Sequence, residues 1–164
     1  MSAVLLVADS GPLIALGRLD LLELPARYFE SVLVTATVWG EVTRKPDADE
    51  APRLARAAAA GLIQVTPDPE PIPESLLRQT IGAGERSAIA LGIGMNASLL
   101  IDDRRARQIA IELGRPVVGT LGLLLRAREE GFVPVLRPLI EHLQATGYYL
   151  PGALVQEVLS SLRE

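Results

Sequence analysis

The chain has 164 residues, no cysteine, a single histidine and a formal net charge of −4. That length fits one domain able to bury about 70% of the surface its unfolded chain exposes. Without cysteine there can be no disulfide, thiolate zinc site or thiol nucleophile, and a lone His142 excludes a histidine-rich metal centre and gives any Ser-His-Asp machine only one residue to run through.

The segment from Ala3 to Ala8 is a continuous apolar run, too short for a helix and rich in Val and Leu, which predicts a buried strand ending at Asp9. Ser10 is then placed to cap a helix, with Gly11 allowing the turn and Pro12 in the first helical turn, where its missing N–H costs nothing. Ser31 to Thr35 reads as a second strand, followed by a short helix over ATVWGEV. Asp47 to Gly61 has helical composition with a glycine stop, and Leu62 to Val65 is a third short strand. Four prolines in the eight residues 66–73 mark an extended surface loop. Helices are expected around Glu74 to Thr80 and from Gly84 to about Met95. Ser98 to Ile101 forms a fourth strand, Arg104 to Leu113 a helix, Arg115 to Thr120 a fifth strand and Leu121 to Glu130 another helix. Two more helices close the pattern, near Pro134 to Thr146 and Leu150 to Leu162.

Strands alternating with helices call for right-handed crossovers and a mostly parallel sheet covered on both faces. The hydrophobic fraction of 49% with only 4% aromatics suits helices packed on such a sheet. The expected architecture is therefore one α/β domain over 1–164, with residues 134–164 as C-terminal helices packed on it. Apolar stretches such as Leu91 to Ile101 fall well short of the roughly 20 residues that span a bilayer, and the N-terminal run has no positive flank, so a soluble, cytoplasmic protein is expected.

In open parallel sheets ligands bind beyond the carboxyl ends of the strands. Asp9, Asp102, Asp103 and Thr120 all fall there. Asp9 follows six apolar residues while Ser10 is free to cap. One of Asp102 and Asp103 can cap the helix that follows, leaving the other without a structural task. Glu85 shares a helix face with Ala88, Ile89 and Gly92, which makes it either the first turn of a buried face or a carboxylate favoured by the helix dipole. Glu41, with Val38 and Val42 nearby, repeats the pattern or sits on the rim. Four or five carboxylates at one sheet edge repel one another unless a cation is present. An oxygen-only donor set suits Mg²⁺ or Mn²⁺, ions that polarise a phosphoryl oxygen and activate water. Because the chain is acidic overall, nucleic acid must be held by local arginines or by metal. Arg86, Arg104 and Arg105 are the residues to hold phosphates; Arg104, Arg105 and Arg107 otherwise make a solvated face. Receiver-type phosphoryl chemistry fits poorly, since no Asp-x-Asp follows the first strand and the only lysine, Lys45, follows a different one.

Four segments in order, VLLVADSGPLIAL, VTATVWGEV, GAGERSAIALG and LLIDDRRARQIAIELGRPVVGT, resemble PIN-domain proteins. The resemblance covers roughly Ala3 to Arg137. It is similar to the VapC-type toxin ribonucleases and especially to a branch with GERSAIAL-like and IDDRRAR-like segments. It implies a three-layer α/β/α domain whose acids Asp9, Glu41, Glu85 and Asp102 or Asp103 bind Mg²⁺ or Mn²⁺ while water attacks an RNA phosphodiester. Family spacing leans to Asp103 as the fourth acid, and Ser10 and Thr120 match polar positions beside the metal. The family often carries Thr or Ser two residues before its last Asp, where this chain has Ile101, and more often Asp than Glu at the third acid. A homodimer and an antitoxin partner follow from the same resemblance. The alternative is a catalytically inactive PIN-like module that binds nucleic acid or protein.

Overall fold

The structure, a computed structural model, describes residues 4–164. Residue Ala3, the first of the expected opening strand, lies outside them. Five strands form one parallel sheet: β1 (Leu5–Ala8), β2 (Ser31–Thr35), β3 (Gln64–Thr66), β4 (Ser98–Leu100) and β5 (Val117–Val118), in the order β3-β2-β1-β4-β5. The helices among them are α1 (Ser10–Arg18), α2 (Leu24–Tyr28), α3 (Ala36–Val42), α4 (Ala51–Ala59), α5 (Glu74–Leu77), α6 (Ala83–Met95), α7 (Arg104–Glu112), α8 (Thr120–Glu129), α9 (Arg137–Ala145) and α10 (Gly152–Ser161).

Side chains alternate faces along a strand, so three consecutive residues are all buried only when both faces are covered. Leu6, Val7 and Ala8 are all fully buried, as are Leu99, Leu100 and Ile101. This is the three-layer α/β/α arrangement expected. Helix α6 packs across β1, β2 and β4, and Gly92 lets it sit flush, since a Cβ there would lie 2.8 Å from a methyl of the buried Leu99. None of the helices among the described residues is long and apolar enough to cross a membrane.

The strand order decides where a site can form. Beginning at β1, the chain adds β2 and β3 on one side and then β4 and β5 on the other, so the direction of winding reverses between β1 and β4. At such a switch point the loops leaving neighbouring strands part and open a crevice. Asp9 leaves β1 there, its N–H donating to Leu100 O at 3.0 Å, and Asp102 leaves β4 beside it.

Several boundaries differ from expectation for local reasons. The fifth strand is only Val117–Val118 because the Arg115 N–H still bonds Ala110 O at the end of α7, and Thr120 already begins α8. The third strand starts at Gln64 because the Leu62 N–H closes the last turn of α4 on Ala57 O. Residues 47–50 are turns rather than the start of α4, and α2 was not anticipated from the segment LPARY. Ser10 is not a cap. It is the first residue of α1, and Asp9 holds the cap position with extended backbone but without a side-chain bond to the helix.

Candidate metal centre at the carboxyl edge of the sheet

Asp9 is 5% exposed, and its Oδ1 is buried without any hydrogen-bond partner. Burial drives its carboxyl up to about 7 from an ordinary 3.8; the Ser10 backbone amide draws it down, and the carboxylates of Glu85, Glu41 and Asp102 push it up further. The charged form of an acid buried beside three others, with an oxygen that no donor reaches, is destabilising unless a cation completes it.

Asp102 is half-buried and held from three sides. Its Oδ1 accepts the Thr120 N–H at 2.7 Å, and its Oδ2 accepts the Thr120 hydroxyl at 2.6 Å and the Tyr148 hydroxyl. Thr120 is fully buried and opens α8, so one residue fixes both carboxylate oxygens. Arg107 braces the loop from below, donating to Ile101 O at 2.7 Å and lying so near Gly119 that a Cβ there would be 2.9 Å from its Nη1. Asp103, by contrast, is exposed and caps α7, its Oδ1 accepting the Ala106 N–H at 2.9 Å. The two aspartates thus divide capping and inward placement the opposite way from the lean given by family spacing.

Glu41 and Glu85 come from facing helices. The Ser87 hydroxyl donates to Gly84 O at 2.8 Å, which leaves the Thr35 hydroxyl to donate to Ser87 at 2.7 Å while accepting the Val38 N–H at 3.1 Å. This buried chain ties the start of α3 to the start of α6. Glu41 then lies directly over Gly84, where a Cβ would stand 2.6 Å from its Oε1. Glu85 turns back to accept the Gly82 N–H at 2.7 Å, which makes it the acid of the helix start, and it also borders the cavity described below. Because the obstacle at Gly84 is the end of a flexible side chain, Gly84→Ala is expected to fold normally but displace the Glu41 carboxylate. Activity should fall by about 10- to 100-fold at unchanged melting temperature, and a variant that keeps full activity would show that Glu41 is idle.

A cavity of about 290 Å³ opens over these groups, lined by Asp9, Ser10, Glu85, Asp102 and Asp103, with Tyr148 and Tyr149 closing one side. Glu41 does not line it. As the side chains lie, no three His, Cys, Asp or Glu among the described residues are close enough to share one ion. Glu85 is turned to Gly82 and Asp102 to Thr120 and Tyr148, and Asp9 Oδ1 is the buried carboxylate oxygen here that has no hydrogen bond. The donor set is all oxygen and anionic, which fits a hard divalent cation. A larger cavity of about 470 Å³, lined by Arg18, Asp49, Glu50, Arg53, His142 and Thr146, holds charges that already answer one another: Arg18 pairs with Glu50 at 3.7 Å and Arg53 bonds the Gly17 carbonyl at 2.9 Å.

The expected phosphate arginines separate. Arg86 is largely committed within the fold, its Nε donating to Leu76 O and its Nη2 to the carbonyls of Gln79 and Ile81, which pins the segment before α6. Arg105 is exposed and reaches only Gln79 Oε1 at 3.2 Å, and Arg104 is exposed at the start of α7. Tyr148 was not singled out from the sequence. The available signal was a Gly-Tyr-Tyr run holding two of the three tyrosines, with Gly147 at φ 86° turning the chain out of α9. Gly11 admits it, since a Cβ there would lie 3.2 Å from the Tyr148 hydroxyl. Burial and the Asp102 carboxylate drive that hydroxyl well above the usual tyrosine range, so it remains a proton donor.

The fold and site define a three-layer α/β/α domain, a doubly covered parallel sheet with acids gathered at its switch point. The chain belongs to the PIN-domain family, whose model matches residues 5–164. PIN domains are generally nucleases and typically use divalent metal ions. The fold is similar to that of a PilT N-terminus domain protein from the hyperthermophilic archaeon Sulfolobus solfataricus P2, at 20% identity and a TM-score of 0.52 over 76% of this chain and 93% of that one. No curated protein matches the chain by sequence.

Proposed function

We propose that this protein is a metal-dependent endoribonuclease that hydrolyses RNA phosphodiester bonds, acting in the cytoplasm as a homodimer and as the toxin of a toxin–antitoxin pair. The observation that carries the hydrolytic reading is Asp9: a carboxylate buried at the switch point, crowded by three other acids, with one oxygen that no donor meets. The likeness of the four sequence segments to toxin ribonucleases supports RNA as substrate, and it alone supports the antitoxin and the dimer.

In this reading Asp9, Asp102, Glu85 and Glu41 would hold Mg²⁺ or Mn²⁺. Such an ion would polarise a phosphoryl oxygen and lower the pKa of a bound water. Thr120 and Tyr148 hold the Asp102 carboxylate in one orientation. Asp103 caps α7 with Oδ1 and borders the cavity. Ser10 lines the cavity beside Asp9. Arg104 and Arg105, exposed where α7 begins, are the residues to meet the flanking phosphates.

Incubating the purified chain with single-stranded RNA and millimolar Mn²⁺ or Mg²⁺ tests this. Fragments that form with metal and vanish with EDTA are expected. RNA that is retained but never cut under any divalent ion would instead favour the inactive binding module.

A further inference from the structure

We propose that Tyr148 sets which divalent cation the acid site prefers: together with Thr120 it closes one oxygen of Asp102, leaves the other for the ion, and so favours Mg²⁺ or Mn²⁺ over Ca²⁺. Tyr148 is then a positioning residue, acting on the ion through Asp102. The inference rests on the cation-site reading and deepens it.

A carboxylate has about four acceptor positions, two on each oxygen. On Asp102 the Thr120 N–H takes one position of Oδ1 at 2.7 Å, and the Thr120 hydroxyl takes one of Oδ2 at 2.6 Å. Thr120 alone would therefore leave a free position on each oxygen, and the carboxylate could grip an ion with both. The Tyr148 hydroxyl takes the second position of Oδ2 and removes that option. What Asp102 still offers is a single position on Oδ1.

The hydroxyl is placed there by structure on several sides. Gly147, at φ 86°, turns the chain out of α9, and the Tyr148 N–H bonds Leu143 O at 3.0 Å. Arg18, at the end of α1, donates to the Thr146 carbonyl at 3.1 Å and to its hydroxyl at 3.3 Å, and Leu150 is buried in the core. Gly11, in the first turn of the same α1, leaves room for the phenol oxygen, which a Cβ would approach to 3.2 Å. A phenol has one proton to donate, and this one is committed to Asp102.

Ions differ in what they ask of a carboxylate. Mg²⁺ demands near-ideal octahedral geometry, keeps several waters and is content with one oxygen from each acid, whereas Ca²⁺ takes about 6–8 oxygens at longer range and readily accepts both oxygens of one carboxylate. Closing Oδ2 costs the small ion nothing. It deprives the large one of a ligand.

The test is calorimetric titration of the EDTA-stripped full chain with Mn²⁺ and, separately, with Ca²⁺, alongside the melting temperature in each ion. Wild type should bind Mn²⁺ more tightly than Ca²⁺. In Tyr148→Phe, which keeps the ring and deletes the hydroxyl, the ratio of the two affinities should fall by about tenfold or more, because Ca²⁺ gains an oxygen that Mn²⁺ does not need. Gly11→Ala, which crowds the hydroxyl without removing it, should move the ratio the same way by less, and it decides alone should Tyr148→Phe fail to fold in EDTA. A ratio that stays at the wild-type value, whether both affinities drop together or neither changes, overturns the proposal and leaves the cation site standing. Wild type that binds neither ion overturns both.

Discussion

Asp9→Asn should abolish metal-dependent RNA cleavage and, in metal-free protein above pH 7, make the fold more stable. Both effects have one origin. In the folded chain the Asp9 carboxyl keeps its proton up to about pH 7, against 3.8 ordinarily, so between those values the folded state binds more protons than the unfolded one. Stability therefore falls as pH rises through that window. At the top of it the charged form costs on the order of 4 kcal/mol, the energy equivalent of that difference. Asparagine removes the charge but brings an amide whose donors also need partners, so the net gain should be smaller, about 2 kcal/mol. Thermal denaturation in EDTA across pH 5 to 8 should show wild type losing stability with rising pH more steeply than Asp9→Asn. Parallel profiles would mean that Asp9 is not the strained acid. The loss of cleavage follows because the amide supplies no negative charge to a hard cation.

Asp102→Asn and Asp103→Asn, neighbours in sequence, should behave oppositely. Asp102 carries Thr120 and Tyr148 on its two oxygens and faces the cavity, whereas Asp103 spends an oxygen on the Ala106 N–H at the start of α7. Asparagine is as good an N-cap as aspartate, so Asp103→Asn should keep near wild-type stability and most of its activity. Asp102→Asn would place an amide N–H₂ against either Thr120 or Tyr148, both of which donate there, and would remove a charge from the centre. Cleavage should fall by about 10³-fold or more, in line with the loss of an essential electrostatic group, and stability by about 1–3 kcal/mol for the clashing donors. Equal losses in the two variants, measured as kcat/KM in Mn²⁺ together with urea unfolding, would return Asp103 to the centre.

How much of this was legible before the fold was known depends on how local each cause is. Strand β2 is found at Ser31–Thr35 as expected, because an apolar run ending in a polar residue and a helix start is readable within a few positions. Asp9 and Asp102 were visible for the same reason, as acids directly beyond apolar runs. The division of labour between Asp102 and Asp103 was not. Either could cap α7 on local grounds, and what decides it is Thr120, 18 residues on, and Tyr148, 46 residues on. The bonds of Arg86 were not foreseen because its partners are backbone carbonyls, which leave no mark in residue types. Glu85 was legible as a helix-start acid within a core-facing segment, and the structure has it half-buried and bonded to its own helix start. Gly84, whose missing side chain makes room for Glu41, reads in sequence only as a helix-weakening residue.

The central claim is that the acids at the switch point form one cation site organised around Asp9. Calorimetric titration of the EDTA-stripped protein with Mn²⁺ near neutral pH tests it most directly, with wild type and Asp9→Asn compared on the same protein concentration. The account predicts saturable binding by wild type with a rise in melting temperature, and neither for Asp9→Asn although that variant is fully folded. Heat and stabilisation of equal size in both proteins, or none in wild type at millimolar Mn²⁺, would contradict it.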